Sequence, residues 1–465
     1  MANSLQSLFD RAVALKGRGK LTEAIELYTR ATKEYPNSAV AEHNLAAAFG
    51  DAGRASEAEA HIQRAFAKGL SAPESWLVFA RALSMQGKLD EAHDAFVKTL
   101  ELNPAVLDAH RELAQLTWMM TGDSAAALSA LESAMRSFPD VVALHTIKAQ
   151  VLRFTVSPAA AYRFIITSLE RWPNEASLLS PAIDWATHAG EPEAALAMSE
   201  RLVALQPDTQ SARGLHAIAL LASGRADEAL PIVEAIVMEN PEDQHSLALL
   251  ATACRILGDD RYAELYDYDQ FVRPYELTAP RGWSSLSEYL ADLGEGLRAR
   301  HPFKTHPFSN SVDGGSMISG LLGMDEPAIR ALPQAIAPAI DAHMARLGTG
   351  SDPLRSRNAE HWKINGIWSV WLKPNGFHHD HVHPSGWLSS ACYVELPEQL
   401  DEGAQQGWIK FGEPGIVTSP RLLPEHTVKP RPGTIVLFPS YMWHGTVPFG
   451  GDSPRLTVAL DIVPD

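Results

Sequence analysis

Residues 76–104 read WLVFARALSMQGKLDEAHDAFVKTLELNP, and the order of landmarks in this stretch decides how the first half of the chain folds. Trp76, Ala80 and Leu83 recur at steps of four and three, the spacing of one helix face. Gly87 interrupts the pattern as a tight turn, a second helix centres on Ala92 and Phe96, and Pro104 helps to end the unit. Working outward, the alanine returns as Ala24, Ala58, Ala92, Ala127, Ala161, Ala195, Ala229 and Ala263, at steps of 34 residues with a single step of 35. Prolines keep the same clock at Pro36, Pro104, Pro139, Pro173, Pro207 and Pro241, missing only where Leu70 stands. Glycines follow at Gly19, Gly53, Gly87, Gly122, Gly190, Gly224 and Gly258, and skip one place near Ser157. A small alanine at the centre of the second helix lets paired helices approach closely.

Period and landmarks together resemble the tetratricopeptide repeat over about 260 residues. The resemblance implies an N-terminal α-solenoid whose concave face holds a peptide or a partner protein. A plainer role, packing against the second domain or making a dimer, is the alternative that the fold leaves open. Between Phe154 and Pro158, where the turn glycine is absent, a distorted repeat is expected.

After Gly258 the period fails, and Tyr262 to Pro280 reads as a last helix followed by a connector. The composition changes too, with seven of the eleven tryptophans from Trp283 onward. A helical stretch runs from Asp325 to Leu347. Beyond Gly366, short β-branched or aromatic runs read as strands at Ile367–Leu372, Ser389–Leu396, Trp408–Phe411, Thr434–Phe438 and Leu456–Val463. This divides the chain into a repeat array (1–265), a connector (266–300) and a β-sandwich or barrel preceded by helices (301–465).

Bulk properties narrow the function. A net charge of −17 argues against a nucleic-acid partner. No apolar run approaches the length needed to span a bilayer, so no membrane role is expected. Cys254 and Cys392 are too few and too far apart for a disulfide framework or a thiolate cluster, and the cytoplasm is the expected compartment.

The β region contains Phe377-His378-His379-Asp380-His381-Val382-His383-Pro384 and, later, Tyr441-Met442-Trp443-His444-Gly445-Thr446. Residues two apart on a strand point the same way, so His381 and His383 can offer both imidazoles to one metal, with His444 as the third ligand. Arg455 and Thr457 share a face at the start of an apolar strand. A guanidinium inside a small barrel is costly unless it meets an anion, and its fork matches a carboxylate, so a dicarboxylate that chelates the metal at one end would satisfy both. A plainer partner for Arg455 is the nearby Asp452. His361 and His426 have no partners at ligand spacing and read as structural.

The order H-x-H, a strand, a glycine-rich turn, Leu437-Phe438-Pro439-Ser440, His444 and Arg455-x-Thr457 resembles the double-stranded β-helix, or jelly roll, of 2-oxoglutarate- and Fe(II)-dependent oxygenases. His381-Val382-His383-Pro384-Ser385-Gly386-Trp387 and Ser389 to Val394 resemble a bacterial branch that often follows tetratricopeptide repeats. The resemblance implies Fe(II) at His381 and His444, 2-oxoglutarate held by Arg455 and Thr457, O2 as oxidant, and hydroxylation of a peptide or protein side chain brought by the repeats. One departure stands out: the common triad is two histidines and a carboxylate, whereas His383 occupies the carboxylate's place. A frame using His378 and Asp380 restores the H-x-D order, but the resemblance aligns best on His381 and His383. Two other readings remain open at this level, a three-histidine dioxygenase independent of 2-oxoglutarate and a repeat scaffold without chemistry.

Overall fold

In a computed structural model of the chain, residues 4–308, 311–398 and 400–465 are described. They form two compact units, Met1–Val151 and Leu152–Asp465. The first consists of paired antiparallel helices: Leu5–Lys16 with Leu21–Glu34, Ala39–Asp51 with Ala55–Ala67, Pro73–Met85 with Leu89–Leu102, and Leu107–Thr121 with Ser124–Ser137. The period alanines are where a pair closes, and Ala24, Ala58 and Ala92 have no exposed surface. All seven period glycines have φ between 68° and 82°, the left-handed conformation that ends a helix at little steric cost only in glycine.

The unit boundary lies within helix Val142–Thr155, in the repeat that lacks its glycine. Both helices of that repeat nevertheless form. Ser157 replaces the glycine by a different device: its hydroxyl accepts a hydrogen bond from the Ala160 amide at 3.1 Å, and Pro158 fills the first helical position, where no amide is needed.

The second unit continues through Pro158–Arg171, Ala176–His188, Pro192–Leu205, Gln210–Ala222, Ala226–Glu239 and Gln244–Leu257. Ala263 keeps the alanine clock but is exposed, because its helix, Arg261–Leu265, has only five residues. The expected helix and connector over Tyr262–Pro280 are instead two short helices, Arg261–Leu265 and Tyr268–Phe271, and a strand, β1 (Arg273–Glu276). Pro274 is tolerated there because β1 is the edge of its sheet.

The β region is an antiparallel two-sheet jelly roll. Its strands are β1, β2 (Val312–Ser319), β3 (Trp362–His378), β4 (Leu388–Glu395), β5 (Ile409–Phe411), β6 (His426–Val428), β7 (Thr434–Pro439), β8 (His444–Thr446) and β9 (Arg455–Pro464). The larger sheet has the order β1-β7-β4-β9-β3-β2 and the smaller β6-β5-β8. The five strands read from sequence are present as β3, β4, β5, β7 and β9; β1, β2, β6 and β8 were not anticipated. The helical stretch before them divides at Ala331 into Pro327–Arg330 and Leu332–Leu347. Leu332–Leu347 packs on β1 and β7, and Leu286–Arg298 on β4, so the larger sheet is covered on one face and turns the other to the smaller sheet.

A glycine pair bends the strand that leads into the histidines. The β2–β3 register jumps between Asp313 and Gly315, where Gly314 has φ 68°. A methyl group on Gly314 would lie 2.9 Å from the Gly376 Cα, so the two backbones approach as only glycines allow.

Candidate metal centre

His381 follows the end of β3 and forms a single two-bond bridge with His444 at the start of β8: each amide donates to the other's carbonyl, at 2.9 and 3.1 Å. The His383 amide donates to the Ser440 carbonyl at 3.0 Å, which seats it against the end of β7. Two segments distant in sequence, 381–383 and 440–444, are thereby fixed together, and one nitrogen from each of His381, His383 and His444 lies within 4.8 Å of the others.

Each imidazole is oriented through its far nitrogen. Nδ1 of His381 donates to the His379 carbonyl at 2.8 Å, Nδ1 of His444 to the Met442 carbonyl at 2.9 Å, and Nδ1 of His383 to the Asp461 carboxylate at 2.5 Å. These acceptors fix the tautomer and leave the Nε2 atoms to carry the lone pairs, that of His381 also 3.3 Å from the Ser311 hydroxyl. Nε2 of His381 and Nε2 of His383 are 3.1 Å apart, a repulsive arrangement of two acceptors unless a cation lies between. Two imidazoles bound cis to one ion at about 2.1 Å stand about 3.0 Å apart. The donor set fits a metal ion.

Burial keeps His381 and His444 neutral. It pulls the His381 pKa down to about 3 and that of His444 well below its ordinary value, and in each case a neighbouring histidine adds to the effect.

Asp380 is not among the clustered groups. Its carboxylate faces away, 2.7 Å from the Lys410 ammonium, which also contacts Glu413. Burial raises its pKa to about 6, against the opposing pull of Lys410. His378 lines the same cavity, but its Nδ1 is 3.0 Å from the Ser311 hydroxyl and its ring centre 6.0 Å from that of His381.

Arg455, Thr457, Ala459 and Asp461 alternate along β9 and all face a cavity of about 420 Å³ that the three histidines share. The Arg455 side chain is 2% exposed, and among the described residues its Nε and Nη1 have no hydrogen-bond partner. Asp452 does not pair with it. The guanidinium sits over the Tyr393 ring at 5.2 Å, and the Tyr393 hydroxyl is also buried without a partner among the described residues. Burial lowers the Arg455 pKa and pushes the Tyr393 phenol up to about 12. A buried guanidinium with two idle donors costs several kcal/mol unless an anion meets it, so the residues fit a carboxylate ligand. Thr457 Oγ1 donates weakly to the Val370 carbonyl at 3.5 Å.

Asp461, Ser389 and Tyr393 escaped the sequence reading. Only Asp461 left a signal there: it continues the alternation Arg455, Thr457, Ala459 inside an otherwise apolar strand.

Comparison with known proteins finds family matches in both the repeat region and the β region. Residues 366–461 match the family described as "Putative 2OG-Fe(II) oxygenase", and residues 6–38, 77–142 and 186–253 match three tetratricopeptide repeat families. Among solved structures, a tetratricopeptide repeat protein from Parabacteroides merdae is similar at 16% identity and a TM-score of 0.39, covering 54% of this chain and 99% of its own. The C-terminal part of a tetratricopeptide repeat protein from Cytophaga hutchinsonii is similar at 16% identity and a TM-score of 0.36, covering 52% and 99%. No curated protein matches the chain.

Proposed function

We propose that this repeat protein, with its oxygenase-family domain at residues 366–461, is a 2-oxoglutarate- and Fe(II)-dependent hydroxylase of a peptide or protein side chain. One observation carries the reading: three inward imidazole nitrogens and the idle donors of Arg455 face the same cavity. His381, His383 and His444 would hold the iron, and Arg455 the far carboxylate of 2-oxoglutarate, with Thr457 beside it. Iron, 2-oxoglutarate and O2 together supply oxidative insertion of oxygen into a C–H bond.

The protein's own work is positional. Asp461 and the carbonyls of His379 and Met442 hold the imidazoles in register, and the guanidinium would anchor the far carboxylate of the co-substrate. Trp368, Met317 and Phe438 line the cavity and exclude water. Tetratricopeptide repeats as a class bind peptides and proteins, and here they would deliver the substrate. The buried free thiols of Cys254 and Cys392 suit a cytoplasmic setting.

The test is anaerobic titration with Fe(II) and then 2-oxoglutarate, watching for the visible charge-transfer band. A band lost in both His444→Ala and Arg455→Ala supports the assignment. Because no carboxylate stands in the cluster among the described residues, a three-histidine enzyme independent of 2-oxoglutarate is the second reading, and turnover unaffected by Arg455→Ala would select it. The substrate class is tested separately: 2-oxoglutarate consumption stimulated equally by peptides and by free amino acids would remove the peptide.

A further inference from the structure

The segment that delivers His444 is held by the last repeat. Tyr266, directly after helix Arg261–Leu265 and 4% exposed, places its hydroxyl between two backbone groups: it donates to the Tyr441 carbonyl at 3.1 Å and accepts from the Trp443 amide at 2.9 Å. These groups flank Met442, whose carbonyl orients the His444 ring. Tyr441 answers by donating its own hydroxyl to the Leu265 carbonyl at 3.0 Å. From helix Gln244–Leu257, the buried Thr252 hydroxyl accepts from Trp443 Nε1 at 3.0 Å while donating to the Ala248 carbonyl at 2.8 Å. Every one of these groups is shielded from water, where a lost hydrogen bond leaves a desolvated partner.

We propose that Tyr266 and Thr252 are positioning residues of the metal centre: the last repeat fixes the Tyr441–Trp443 turn, and through it the direction of the His444 imidazole. The inference rests on the reading of His381, His383 and His444 as metal ligands. It makes the end of the repeat array part of the site's scaffold in addition to any role in binding partners. A direct outer support such as the Met442 carbonyl is worth about ten- to a hundred-fold in metal affinity, and Tyr266 and Thr252 act one step behind it.

The experiment is Co(II) titration of the full chain, reading both the dissociation constant and the visible d–d spectrum, with folding checked by circular dichroism. Tyr266→Phe and Thr252→Val are expected to weaken Co(II) about tenfold or more and to alter the band shape. Thr252→Ser, which keeps the hydroxyl, is expected to restore both. Tyr262→Phe is the control, because Tyr262 bonds Glu425 and Tyr268 rather than the ligand turn, and it should bind as the wild type does. Wild-type affinity and spectrum in folded Tyr266→Phe and Thr252→Val overturn the proposal, as does equal loss in Thr252→Val and Thr252→Ser. If the wild type itself binds no Co(II), the metal-site reading fails and the inference falls with it. Binding abolished by His444→Ala but unchanged by Tyr266→Phe and Thr252→Val would leave that reading standing and remove the inference alone.

Discussion

One oxygen of Asp461 lies 2.5 Å from Nδ1 of His383 and 2.7 Å from the Ser389 hydroxyl, so the carboxylate absent from the histidine cluster stands one bond further out, behind an imidazole. There it does two things: it fixes the His383 tautomer, and it supplies a negative charge that a neutral three-histidine set lacks. Asp461→Asn keeps the shape and removes the charge. Loss of this outer carboxylate is expected to weaken Co(II) or Fe(II) binding about ten- to a hundred-fold. Titration of metal into the anaerobic protein checks this, and an unchanged dissociation constant would show that the charge plays no part.

The choice between the two ligand frames is settled by a pair of substitutions. Asp380 is engaged with Lys410 outside the cluster, whereas His383 stands inside it. Asp380→Asn is therefore expected to keep metal affinity within about threefold of wild type, while His383→Ala abolishes tight binding, since removing a direct ligand costs far more than removing an outer support. The reverse ranking in the same titration would restore the His378 and Asp380 frame.

These residues also show what a linear sequence does and does not reveal. The repeats were legible because each buried alanine and each turn glycine solves the same local problem every 34 residues, so the signal accumulates. Strands β7 and β9 were legible because they are almost continuously apolar. Strand β8 was not, because three residues, His444–Thr446, are held by pairing with β5 and have no periodicity of their own. Strand β2, VDGGSMIS, contains the glycine bulge, and glycines erase the alternation that marks a strand. Two-residue periodicity gave the shared face of His381 and His383, but whether Asp380 turned inward depended on Lys410, thirty positions away. Tyr266 was invisible as a support for the same reason: its partners are 175 and 177 residues distant.

Arg455 predicts a trade between stability and ligand binding. Its buried guanidinium has idle donors in the ligand-free protein, and replacing an unpaired buried charge by an apolar side chain of similar length is stabilising. Arg455→Met is thus expected to raise the melting temperature of the ligand-free protein by several degrees, an effect on the order of 1–2 kcal/mol. The same substitution removes the charged partner of the dicarboxylate, a loss of roughly 2–5 kcal/mol in affinity. Differential scanning calorimetry and 2-oxoglutarate titration of the Fe(II)-loaded protein read the two effects. A lower melting temperature together with unchanged 2-oxoglutarate affinity would sink the idea that this arginine awaits an anion.

Acid lability follows from His343. This residue of helix Leu332–Leu347 is fully buried, with Nδ1 at 3.1 Å from the Tyr275 hydroxyl and Nε2 without a partner among the described residues. Burial, reinforced by Arg346 and Arg273, lowers its pKa from 6.5 to about 3. The folded state therefore excludes a proton that the unfolded chain takes up below pH 6.5, so this contribution to stability is intact above 6.5 and is lost as the pH falls toward 3. The limiting slope is about 1.4 kcal/mol per pH unit. His343→Leu removes the titrating group and costs some stability at neutral pH, where the Tyr275 hydroxyl loses its partner. Urea unfolding at pH 7.0, 6.0, 5.0 and ~4 is expected to show the variant gaining steadily on the wild type as the pH falls. A difference between the two proteins that stays constant with pH would mean that His343 is protonated as readily in the fold as out of it.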